Sequence, residues 1–123
     1  MVNGLKQNEG ASGDAAEGKP KRMGIEFLYF SKGCPSYKQA LANLKAALRE
    51  THSRAELVLI NVNSPEQAEQ VGFQGSPSIR INGHDLEGRD EGSSYSCRLY
   101  RINGKATPIP TKEFIEERLS GYK

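Results

Sequence analysis

The sequence predicts an α/β domain built on a four-stranded mixed sheet, with elements in the order β-α-β-α-β-β-α. Three observations carry this. Two apolar runs, Ile25–Phe30 and Glu56–Val62, are each followed by a segment that reads as a helix. Two later segments, Ser78–Asn82 and Ser96–Ile102, alternate apolar and polar residues with period two. A short amphipathic segment then closes the chain. Alternating βαβ units require parallel strands with right-handed crossovers, and two strands close in sequence are free to pair antiparallel. The outcome is a mixed sheet with helices on both faces.

Each element has its own local cause. The run Ile25–Phe30 is rich in β-branched and aromatic residues and stops at the turn-forming Ser31-Lys32-Gly33. A helix is predicted over Pro35–Arg49, because Tyr37, Leu41, Leu44 and Leu48 fall on one helical face and four alanines raise its propensity. Pro35 suits the first turn, where its missing N–H has no helical partner. The nearly continuous apolar run Glu56–Val62 suits a central strand covered on both faces. Ser64-Pro65-Glu66-Gln67 is a helix start of the capping-box kind, and Gly72 ends that helix after Val71. Asn82-Gly83 marks a tight turn after Ser78–Asn82. The polar stretch Glu87–Ser94 then interrupts the pattern before Ser96–Ile102, whose alternation puts Cys97 and Leu99 on one face. The last helix is predicted over Lys112–Leu119 with Thr111 as its N-cap.

Composition narrows the function. Hydrophobic residues are only 36% of the 123 residues, so part of the chain is expected outside the core. Residues 1–22 are polar and glycine-rich without apolar periodicity, and read as a disordered tail ahead of one domain over 23–123. The net charge of +2 gives no support for nucleic-acid or polybasic membrane binding. No apolar run is long enough to span a bilayer, and Met1–Gly18 lacks the apolar core of a secretory signal. The expectation is a cytoplasmic monomer. Two cysteines do not make a disulfide scaffold, and each reads as a thiol or a transient redox partner.

Cys34 is the first candidate for chemistry. It stands in Gly33-Cys34-Pro35-Ser36-Tyr37, between the first strand and the first helix. Unpaired N–H groups and the dipole at a helix start favour thiolate over thiol, and such cysteines have pKa values of roughly 3.5–7.5. A thiolate is the nucleophile of disulfide exchange. The bland alternative is a buried cysteine packing as a small hydrophobe. Pro77, in Gly75-Ser76-Pro77-Ser78, opens the third strand, where a missing N–H donor is tolerated.

The unit strand–Gly33-Cys34-Pro35–helix, followed some forty residues later by Ser76-Pro77 before a strand, resembles the thioredoxin/glutaredoxin superfamily over nearly all of residues 23–123. The resemblance implies a thioredoxin-like three-layer fold, with Cys34 as nucleophile and Pro35 as the usual second motif residue. It also implies that the Ser76–Pro77 bond is cis and faces Cys34. Ser76 and Pro77 would then form the platform that holds a bound peptide or glutathione. The stretch Gly75–Arg101 further resembles a small bacterial thioredoxin-like group sharing a Gly-Ser-Pro strand and a Ser-Cys-Arg-Leu-Tyr strand, some of whose members are labelled alkylmercury lyase.

The superfamily's second cysteine is replaced by Tyr37, so the motif itself holds no disulfide. The leading expectation is therefore a monothiol thiol–disulfide oxidoreductase, with glutathione as co-substrate and protein or small thiols and disulfides as partners. Two alternatives stand beside it: a binding module that keeps the fold without redox activity, and a protein that handles soft metals or organomercurials. Cys97 is expected either in the core beside Leu99 or, with the register shifted by the polar insertion, as a resolving or second thiol. Pairing of Ser96–Ile102 with Ser78–Asn82 would leave Cys97 remote from Cys34. Tyr37 reads as a core residue of its helix, His84 and Asp85 as surface, and Arg98 and Arg101 as solvated, with carboxylate binding as the alternative. No resident metal or cofactor is expected, since the spacing of Cys and His does not match a zinc site.

Overall fold

The computed structural model describes residues 23–122, and the predicted tail over residues 1–22 lies outside them. Strand β1 (Met23–Tyr29) is the centre of a four-stranded sheet in which it pairs with β2 (Ala55–Asn61) in parallel and with β4 (Ser78–Ile81) antiparallel. The fourth strand, β5 (His84–Asp85), lies antiparallel to β4, so the order is β2-β1-β4-β5. The parallel and antiparallel partners flanking β1 make the sheet mixed, as predicted.

Alternation along β1 serves two layers. Met23, Ile25 and Phe27 are buried in one core with α1 (Tyr37–Glu50) and α3 (Lys112–Ser120), which contribute Ala40, Leu44, Ala47, Phe114, Ile115 and Leu119. Leu28 belongs to a second, smaller core with Val62, Phe73 and Ala68 of α2 (Pro65–Val71). α2 and α3 start at their sequence signals, whereas α1 starts at Tyr37, so Pro35 lies in the turn ahead of its N-cap position, Ser36, and not in its first turn. Ser64 Oγ accepts the Gln67 N–H at 3.1 Å, and Thr111 Oγ1 accepts the Phe114 N–H at 3.1 Å. Gly72 closes α2 in the left-handed region, with φ of 64°.

Three expectations are corrected. β2 is an edge strand rather than a central one, and Val58 and Leu59 are 52% and 46% exposed. Both of its faces are only partly covered, Leu57 packing on the main core and Ile60 on the second, and it has one neighbouring strand rather than two. The fourth strand of the sheet is the two-residue β5, placed by the Asn82-Gly83 turn with φ of 53° and 85°. The predicted strand Ser96–Ile102 is two strands in two separate pairings. Its first half belongs to β6 (Ser94–Cys97), which runs parallel to β3 (Gln74–Ser76), and its second half is β7 (Tyr100–Ile102), which forms a hairpin with β8 (Lys105–Thr107).

The phase of that segment is also reversed. Cys97 and Leu99 face outward, with Leu99 56% exposed, while Arg98 and Tyr100 point in. Both phases satisfy an alternating pattern, and a shift of one residue exchanges the faces. Tyr100 explains the choice: it is fully buried in the main core, and its hydroxyl donates to the Pro77 carbonyl at 2.6 Å. An inward phase carrying Leu99 and Cys97 would leave that larger side chain in water.

Candidate functional site

The turn after β1 is held at both ends. The Phe30 N–H donates to Ser76 Oγ at 3.0 Å, and Asn61 Nδ2 at the end of β2 donates to Ser31 Oγ at 3.0 Å. Phe30 also packs on Tyr95 of β6, with ring centroids 4.2 Å apart. Cys34 therefore leaves the turn against β3 and below the start of α1. Ser36 is the N-cap position of α1, yet its side chain makes no capping bond. Its hydroxyl lies 3.5 Å from Cys34 Sγ instead. The Ser76 carbonyl oxygen is 3.4 Å from the same sulfur. Cys34 is 2% exposed.

Cys34 is disulfide-bonded to Cys97, with Cα atoms 5.7 Å apart, a separation usual for such bridges. The placement of Cys97 in the core, remote from Cys34, is thus corrected. The cause is the parallel pairing of β3 with β6, in which Ser76 stands opposite Cys97. The register shifts between Gln74 and Ser76, so β6 carries an additional residue on this stretch. Gly75 makes the approach feasible. Its φ is 97°, and a Cβ there would sit 2.9 Å from Arg98 Cβ and 3.3 Å from the Ser96 carbonyl.

The Ser76–Pro77 peptide bond is cis. Both residues are buried, and the carbonyl of Ser76, a residue that the resemblance implies holds a bound peptide or glutathione, accepts the chain's own Arg98 N–H at 2.9 Å. Pro35 is exposed at the mouth of the turn, and Tyr37 packs inward, its ring stacked on Tyr29 at 4.7 Å.

The expectation of a solvated Arg98 is corrected: its side chain is fully buried beside the disulfide. It donates from Nη1 and Nη2 to the two Asp85 oxygens, each at 2.7 Å, and reaches Glu87 Oε1 at 3.1 Å and Ser78 Oγ at 3.1 Å. Its guanidinium also lies 4.3 Å from the centre of the Tyr100 ring. Burial alone pushes the Asp85 carboxyl up, but the Arg98 guanidinium outweighs it and holds that carboxyl below its ordinary value. Burial also opposes the charge on Arg98, and the Asp85 carboxylate overrides it to keep the guanidinium protonated. This pair fastens the residue after Cys97 to β5. Asp85, also expected at the surface, is therefore buried because Arg98 is, while His84 and Arg101 are exposed. The only sequence signal was an acidic residue, Asp85 or Glu87, upstream of an arginine next to a cysteine, and that pattern is too common to be read.

Reduction of this disulfide takes up two electrons and two protons as a pair of thiols, and its reclosure gives them back. Among the described residues there is no group of three or more His, Cys, Asp or Glu placed to hold a metal ion. No described helix is long and apolar enough to cross a membrane. No family model, curated protein or solved structure matches the chain.

Proposed function

We propose that the chain is a thioredoxin-like thiol–disulfide oxidoreductase whose redox couple is Cys34–Cys97. The observation that carries this reading is the bridge between a buried cysteine at a helix start and an exposed cysteine on β6, next to a cis Ser76–Pro77 bond. The sheet order β2-β1-β4-β5, with β1 central, supports the superfamily resemblance as well. A second sulfur within bonding reach changes the expected monothiol cycle into a dithiol cycle. Two small thiols, glutathione for example, reduce the bridge to two cysteine thiols and leave as one disulfide. The reverse reaction oxidises the protein and reduces a substrate disulfide. No cofactor enters either direction.

The test is reduction of a small mixed disulfide by glutathione, and of insulin disulfides by dithiothreitol, with wild type, Cys34→Ser and Cys97→Ser. Acceleration by wild type that falls in both variants supports the couple. Equal rates in all three proteins would leave the redox-inactive binding module as the reading.

A further inference from the structure

We infer that exchange enters through Cys97, which receives the incoming thiol, while Cys34 is the buried thiol that leaves and returns. The inference rests on the oxidoreductase reading above and reverses the roles that the resemblance implies for the two cysteines.

Access decides it. Displacement at a disulfide is in line: the attacking sulfur approaches from the side opposite the sulfur that leaves. Cys97 is the exposed end of the bridge, and its neighbours Ser96 and Leu99 are exposed too, which leaves its sulfur open to an incoming thiolate. For attack on Cys34 the approach runs through the protein. Cys34 is 2% exposed and backed by the Ser76 carbonyl at 3.4 Å, beside a Pro77 that is itself buried. An attacking thiolate reaches Cys34 only by displacing the groups packed around it.

The leaving group fits the same direction. A thiolate released from Cys34 forms at the start of α1, where the Ser36 hydroxyl, free of any capping bond, is 3.5 Å away and able to donate to it. Each sulfur also has one backbone carbonyl beside it, Ser76 at 3.4 Å for Cys34 and Gly33 at 3.5 Å for Cys97, so the Ser36 hydroxyl is the group that distinguishes them. Arg98, anchored through Asp85 and Glu87, holds the end of β6 by contacts that do not involve the bridge.

The steps balance. A small thiolate forms a bond to the Cys97 sulfur as the Cys97–Cys34 bond breaks, and Cys34 departs as thiolate. A second small thiolate then attacks the mixed disulfide at its own kind of sulfur and releases Cys97 as thiolate. Two protons from solvent or from the incoming thiols end on Cys34 and Cys97. In the oxidising direction Cys97 attacks the substrate disulfide, and Cys34 then attacks the Cys97 sulfur and expels the substrate thiol.

The experiment uses glutathione as the probe. The oxidised full-length chain is treated with reduced glutathione, quenched with N-ethylmaleimide and mapped by mass spectrometry. Glutathione on Cys97 with maleimide on Cys34 is the expected result. Glutathione on Cys34 overturns the order of attack and leaves the oxidoreductase reading intact. In parallel, Cys34→Ser, which keeps Cys97, is expected to take up glutathione from its disulfide roughly tenfold faster than Cys97→Ser. Equal rates, or the opposite order, overturn the inference. Absence of any exchange in wild type and in both variants sinks the oxidoreductase reading itself. The mapping on wild type needs no variant and so stands even where a substitution impairs folding.

Discussion

Ser76 and Cys97 face each other across the parallel pairing of β3 and β6, and this register brings Cys97 to a cysteine 63 positions away in sequence. The carbonyl of Ser76 is the common reference point: it lies 3.4 Å from the Cys34 sulfur and accepts the Arg98 N–H at 2.9 Å. The disulfide is thus a consequence of strand pairing and not of the motif around Cys34.

Closing that bridge ties off a loop with a sequence separation of 63. Chain entropy then gives a stabilisation of about 4 kcal/mol in the oxidised form. Urea unfolding with and without dithiothreitol should show this as a large drop in midpoint on reduction. The Cys97→Ala variant should unfold at one midpoint under both conditions. A wild-type midpoint indifferent to reductant would mean that the bridge does not form.

Gly75 is the residue that lets β6 lie against β3. Alanine there meets Arg98 Cβ at 2.9 Å and a backbone φ of 97° that side chains rarely adopt. Gly75→Ala should cost about 1–3 kcal/mol and slow closure of the bridge, since β6 must move away. The measurement is urea stability together with the rate of thiol loss during air oxidation. Unchanged values would show that the close approach is not needed.

Arg98 and Asp85 are a fully buried pair, and removing one partner strands the other charge. Arg98→Met and Asp85→Leu should each destabilise by about 3–5 kcal/mol, whereas the two together should recover much of the loss. Chemical denaturation of the oxidised proteins measures all three. Strict additivity of the two single losses in the double variant would show that the residues do not act as a pair.

The same pair makes stability depend on acid. The folded Asp85 carboxyl lies below its ordinary value of 3.8, so its contribution is full above that value and is lost as pH falls through the lower folded one. The stability gap between wild type and Asp85→Asn should be wide at about pH 7 and shrink below about pH 4. Urea curves for the two proteins across that range provide the check. A gap independent of pH would exclude Asp85 as the titrating group.

Much of this protein is local physics and was legible in the sequence. Ser64 and Gln67 are three residues apart, as are Thr111 and Phe114, so both caps could be read before any fold was known. The Asn82-Gly83 turn and the place of Cys34 between β1 and α1 follow from neighbouring residues in the same way. What only the tertiary structure decided is non-local: the edge position of β2, the pairing of β6 with β3, the inward phase of Arg98 and Tyr100, and therefore the Cys34–Cys97 bridge. The pattern from Ser96 to Ile102 alternates equally well in either phase. The core that takes Tyr100, the Asp85 carboxylate that meets Arg98, and a glycine at position 75 select between the two, and all three reach that segment through space.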